Sequence, residues 1–129
     1  MHSASGTVLV VDDNRDAADT TAVLLEEMGL AAVPAYSARE GLDRLDECPD
    51  ISLVISDIRM PGLDGFDFIR VVKHRFPSLP TLLTTGLPIT EEDVVPRGAS
   101  ILRKPFAADD LRRAMAEHLL PPGDRSTST

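Results

Sequence analysis

The chain is poor in the residue types on which several protein classes depend. It has a single cysteine, Cys48, so no internal disulfide can staple it, and a reducing, cytoplasmic address is expected. Cys48 stands beside Pro49, where an inert helix-end residue is expected. The three histidines, His2, His74 and His118, share no metal-ligand spacing. Basic residues are outnumbered, with 13 Lys and Arg against 21 Asp and Glu and a formal net charge of −8. That deficit argues against a nucleic-acid surface, which needs clustered cations over phosphates, and no basic amphipathic segment suggests a membrane partner. No apolar run approaches the ~20 residues of a membrane span. The opening "MHSASG" lacks the charged and apolar regions of a signal peptide, and no segment repeats.

What remains is the length and make-up of one globular domain: 129 residues, 43% hydrophobic and 26% charged. A core unit is expected over residues 7–120, between a polar head at 1–6 and a linker-like tail at 121–129, "PPGDRSTST". Within it the pattern alternates. "TVLVV" reads as a buried strand ending at Asp12-Asp13. Ala18, Ala22 and Leu25 have helical spacing, and Gly29 caps that helix. After "LAAVP", Ser37 and Glu40 form a capping box before a helix using Ala38, Leu42 and Leu45. "ISLVIS" ends at Asp57, "MPGLDG" is turn chemistry, and Phe66, Ile69, Val72 and Phe76 mark the next helix. "LPTLLT" runs to Thr84-Thr85-Gly86, "ASILR" is the last strand, and Leu111, Met115 and Leu119 give a closing helix. Five strands alternating with helices predict an α/β domain with a parallel sheet covered on both faces.

In such sheets ligands bind at the carboxyl ends of the strands. The residues there are Asp12, Asp13, Asp57, Thr85 and Lys104. Taken singly, the first two could cap a helix, Asp57 a turn, and Thr85 and Lys104 could be ordinary surface groups. Together they form a set with chemical logic. Two carboxylates about 4 Å apart repel by roughly 4 kcal/mol at an effective dielectric near 20, so three gathered together call for a cation. All-oxygen ligands suit Mg²⁺, which keeps waters and works beside phosphate. A lysine and a hydroxyl nearby then suit an anion held against the metal.

In order and spacing, "VLVVDDN", "VISDIRMPGLDGF", "LLTTG" and "LRKPF" resemble the receiver domain of bacterial two-component response regulators, over about residues 7–120. The resemblance implies a flavodoxin-like fold with strand order 2-1-3-4-5. It implies phosphoryl transfer from a phosphohistidine on a histidine kinase or phosphotransfer domain to Asp57. Asp13 and Asp57 would bind Mg²⁺ directly with the Arg59 backbone carbonyl, Asp12 mostly through a water. Thr85 and Lys104 would hold phosphoryl oxygens, and backbone N–H groups near Arg59 and Gly86 would complete the cradle. The family typically holds the Lys–Pro bond cis, which makes Lys104-Pro105 the candidate. It implies a signalling domain that promotes its own phosphorylation and dephosphorylation, acts through an unnamed protein partner, and is a monomer or weak dimer.

Three features depart from the family pattern. Ile101 stands where an aromatic ring usually relays the movement of the Thr hydroxyl, and isoleucine has no ring to swing. Thr85 and Lys104 are 19 positions apart, some three fewer than the family spacing, and Pro88 and Pro96 fall between them. A fourth helix reduced to about one turn around "TEEDV", opened by Thr90, or a loop, is expected there. Arg59 stands at the mouth of the site, either solvated or touching the phosphoryl group. These features resemble receivers attached to hybrid histidine kinases, and the tail after Leu120 is too short for a DNA-binding domain within this chain. A small aspartyl-nucleophile phosphatase or phosphotransferase is the alternative, but such enzymes carry a second acid two residues after the nucleophile, where this sequence has Arg59.

Overall fold

The strands and helices follow from where the apolar residues fall and from which polar residues stop them. In the computed structural model, which describes residues 6–87, 95–96 and 98–116, the strands are β1 (Thr7–Val11), β2 (Ala31–Ala35), β3 (Ile51–Asp57), β4 (Thr81–Thr85) and β5 (Ser100–Arg103). The helices are α1 (Arg15–Glu27), α2 (Ala38–Glu47), α3 (Gly65–Arg75) and α4 (Ala108–Ala116). All strand pairs are parallel and the sheet order is β2-β1-β3-β4-β5, as the resemblance implied.

Helices α1, α2 and α3 each start on a side chain that accepts from one of the helix's free N–H groups. Asn14 caps α1, accepting from the Ala17 N–H at 3.1 Å. Its far end turns at Gly29, φ +91, where the Gly29 and Leu30 N–H groups return to the Glu26 and Leu25 carbonyls. Ser37 caps α2 by accepting from the Glu40 N–H at 3.0 Å. The other half of the expected box differs: Glu40 Oε1 accepts from the Tyr36 N–H at 2.9 Å, one residue further back. Asp64 caps α3, and Cys48 is the C-terminal cap of α2.

The sheet separates two cores because alternate residues of a strand face opposite ways. Leu9, Val11, Val54 and Leu83 meet α2 and α3 through Ala38, Leu45, Phe68, Ile69 and Val72. Val8, Val10, Leu53, Ile55 and Leu82 meet α1 and α4 through Ala18, Leu25, Leu111 and Met115. Both faces are covered, which explains why β1 and β3 read as nearly continuous apolar runs. The shortened fourth helix expected between Leu87 and Gly98, and Leu119 of the closing helix, lie outside the described residues. Among the described residues no helix is long and apolar enough to cross a membrane.

Candidate functional site

Register brings the polar strand ends level. Val11 pairs with Ser56, Asp57 with Thr84, and Thr85 with Arg103. Asp12 therefore emerges beside Asp57, and Lys104 one residue beyond β5. The sheet order reverses at β1 and β3, so the two acidic strand ends flank the crevice where open parallel sheets bind ligands.

Asp12 and Asp57 are buried and Asp13 is exposed. One carboxylate oxygen from each of the three lies within 4.8 Å of the others. Oxygens sharing one Mg²⁺ at 2.0–2.1 Å can stand at most about 4.2 Å apart. The cluster thus fits such an ion with a slight contraction, or with one carboxylate held through water. The donor set, all hard oxygen, suits that ion as well.

Lys104 reaches into this cluster. Its Nζ lies 2.9 Å from Asp12 Oδ2 and 3.3 Å from Asp57 Oδ1, and its backbone N–H donates to the Thr85 carbonyl at 2.7 Å. The Lys104–Pro105 bond is cis. Burial pushes the Asp57 carboxyl above its ordinary range, the Asp12 charge adds to this, and the Lys104 ammonium opposes both. Burial by itself would lower the Lys104 ammonium. The hydrogen bond to Asp12 and the charges of Asp57 and Asp12 outweigh it, and its pKa is raised. Asp12 is oriented from its other oxygen, Oδ1, by the Asn14 N–H at 3.0 Å.

Thr85 is fully buried, and its hydroxyl is engaged locally. It donates to the Leu87 carbonyl at 2.9 Å and accepts from the Leu87 N–H at 3.0 Å. Gly86 and Arg59 are exposed beside the cluster. A cavity of about 590 Å³ opens between α1 and the turn after β5, lined by Ala17, Thr20, Leu24, Lys104, Pro105 and Phe106 among others.

A buried acid at a strand end, a carboxylate cluster that could hold a metal ion and a lysine in contact with Asp12 and Asp57 thus stand together at one sheet edge. The model of the response regulator receiver domain matches residues 8–116. The chain belongs to that family. This receiver is 36% identical over 131 residues to the C4-dicarboxylate transport transcriptional regulatory protein DctD of Rhizobium meliloti, covering 96% of this chain and 28% of that protein. It is 33% identical over 120 residues to the transcriptional regulatory protein FixJ of Bradyrhizobium diazoefficiens, covering 89% of this chain and 57% of that protein. It thus spans less than two thirds of the length of either regulator. A solved receiver domain protein from Clostridium thermocellum superposes with a TM-score of 0.79 at 30% identity, covering 96% of this chain and 99% of that one.

Two residues beside the cluster carry little signal in the sequence. Ser56 reads as part of an apolar strand, although a hydroxyl one residue before the strand-end acid is a signal in itself. Gly65 reads as turn chemistry with Gly62, but of the two only Gly62, φ +78, uses the left-handed region. Gly65 is the first residue of α3 and is needed for a close approach, which no local sequence rule reveals.

Proposed function

We propose that Asp57 is the phosphoacceptor of this receiver, taking a phosphoryl group from a phosphohistidine on a histidine kinase or phosphotransfer protein. The observation that carries this reading is the bridge of Lys104 Nζ to Asp57 and Asp12 beside a three-carboxylate cluster. An Asp57 oxygen attacks phosphorus as the P–N bond to the donor imidazole breaks, and that nitrogen keeps the bonding pair. Charge spreads over three equatorial oxygens, so cations and oriented N–H groups do most of the work. Asp13, Asp57 and the Arg59 carbonyl would hold Mg²⁺, with Asp12 bound through water, and the ion would neutralise phosphoryl charge.

Lys104 already sits where a phosphoryl oxygen on Asp57 would come within its reach. It would exchange the Asp57 carboxylate for that oxygen while keeping Asp12. Thr85 would release Leu87 and donate to a second oxygen, with the Gly86 and Arg59 N–H groups completing the cradle. The cavity beside Lys104 is the direction of approach we assign to the donor. The product is a signal passed through protein contacts, from a monomer or weak dimer in the cytoplasm, rather than turnover of a free substrate. The phosphatase alternative lacks its second acid, since position 59 is arginine.

Incubating the protein with Mg²⁺ and acetyl phosphate should give a phosphate adduct by intact mass, absent in Asp57→Asn. No adduct in the wild type, or one that persists in the variant, would overturn the assignment.

A further inference from the structure

Among the buried polar groups beside the nucleophile, Ser56 is given no task by the chemistry above. Ser56 is fully buried in β3, flanked by Leu53, Val54 and Ile55 before it and Ile58 beyond Asp57. Its hydroxyl donates to the backbone carbonyl of Asp57 at 2.9 Å. A second close contact falls on the same carbonyl. A Cβ placed on Gly65 would lie 2.2 Å from the Asp57 oxygen, 3.0 Å from its carbonyl carbon and 2.7 Å from Ile58 Cα. Gly65 also ties its N–H to the Ile58 carbonyl at 2.8 Å. The start of α3 therefore rests directly on the nucleophile's own peptide, and a serine hydroxyl holds that peptide as well.

Stability alone does not ask for serine here. A buried hydroxyl must recover its lost hydration through a hydrogen bond, and an apolar β-branched residue suits a central strand better. The carbonyl has a second lone pair, so the hydroxyl adds to whatever the sheet supplies. What the hydroxyl does is fix the plane from which the Asp57 side chain hangs. In-line attack needs reacting atoms about 3–3.5 Å apart, and a misplacement of about 1 Å can lower the rate by ~10²-fold.

We propose that Ser56 is a positioning residue for the phosphoacceptor: its hydroxyl, with the glycine contact of α3, locks the Asp57 peptide so that the carboxylate stays aligned for transfer. This rests on the reading of Asp57 as the nucleophile. The rate of adduct formation from acetyl phosphate at saturating Mg²⁺ is measured by intact mass for the wild type, Ser56→Ala, Ser56→Thr and Ser56→Cys, with Mg²⁺ affinity and melting temperature alongside. Ser56→Ala is expected to keep its fold and Mg²⁺ affinity yet react about tenfold more slowly. Ser56→Thr should recover most of the rate, and Ser56→Cys, a weaker donor, should fall between. An alanine variant at the wild-type rate overturns the proposal. So does a slow alanine variant that neither threonine nor cysteine improves, since a restored hydrogen-bond donor would then restore nothing. If the alanine variant does not fold, a cysteine variant at full rate is the overturning result. A wild type that forms no adduct defeats instead the underlying reading of Asp57.

Discussion

Burial and the charge of Asp12 hold the Asp57 carboxyl above its ordinary range, and Lys104 only partly opposes them. A carboxyl raised on folding contributes stability that is fully present below its unfolded value, about 3.9, and is lost as pH rises through the folded value. In metal-free buffer, Asp57→Asn should therefore melt higher than the wild type at neutral pH. The gap should close as the solution is acidified through the raised range toward pH ~4. Asp12, Asp13 and Lys104 face the same point in both proteins, so the difference between the two curves isolates Asp57. A gap that is absent at neutral pH, or that stays constant on acidification, would show that Asp57 carries no such strain. Mg²⁺ should narrow the neutral-pH gap, because the ion stabilises the ionised wild-type cluster and has one carboxylate fewer in the variant. The acid itself was legible in the sequence because a carboxylate closing an apolar strand is conspicuous. The direction of its shift was not, since it depends on which charges the fold places around it.

Helix α3 shows how an element can serve both the core and the site. Its apolar face, Phe66, Ile69 and Val72, follows from spacing. Phe68, fully buried and four residues before Val72, lies on the same stripe, but spacing does not reveal that its ring also fills a contact between helices: a Cβ on Gly41 of α2 would stand only 3.0 Å from it. Periodicity reports which face is buried against the sheet, and a contact between two helices over that sheet escapes it. The same limit hid Gly65. Alanine inside a helix normally gains about 0.8–1.0 kcal/mol over glycine, but here the sign should reverse. The added Cβ would strike backbone of β3, which cannot rotate aside as a side chain can. Gly65→Ala is expected to lose about 1–3 kcal/mol, as overpacked sites do, and to slow adduct formation at Asp57. Gly62→Ala is the control. Its Cβ would meet nothing within 4 Å, so its left-handed φ alone should cost about 1–2 kcal/mol. Chemical denaturation read beside the phosphorylation rate separates the two. Equal effects of both variants on the rate would remove the special role of Gly65.

Across the whole molecule, the two cores support one sheet edge, and any signal must travel from that edge through packed elements. The site edge was readable because β1, β3, β4 and β5 run out onto polar residues, whereas the strand order was legible only through the resemblance of the motifs to receivers. The route of the signal was not, since it depends on what Thr85 touches before the phosphoryl group arrives. Its hydroxyl makes both its hydrogen bonds to the Leu87 backbone, while Leu87 itself is exposed. Ile101, two residues before the end of β5, is half-buried and packs with Val95 and Ala99 against the α2–α3 core. It offers bulk rather than a ring to turn. If the hydroxyl donates to a phosphoryl oxygen, the bond it gives to the Leu87 carbonyl must be lost, and as the oxygen swings toward Asp57 the Leu87 N–H loses its acceptor too, so that amide becomes the reporter of the switch. Hydrogen exchange at Leu87 should be slow in the unphosphorylated protein and markedly faster once Asp57 is modified. Thr85→Ala should exchange fast at Leu87 from the outset and gain little more on phosphorylation. Ile101→Phe should leave the unphosphorylated Leu87 amide protected, because residue 101 makes no part of that turn. Unchanged protection at Leu87 in a protein shown to carry the phosphoryl group would mean that Thr85 stays on the loop, and that Lys104 alone senses the modified Asp57.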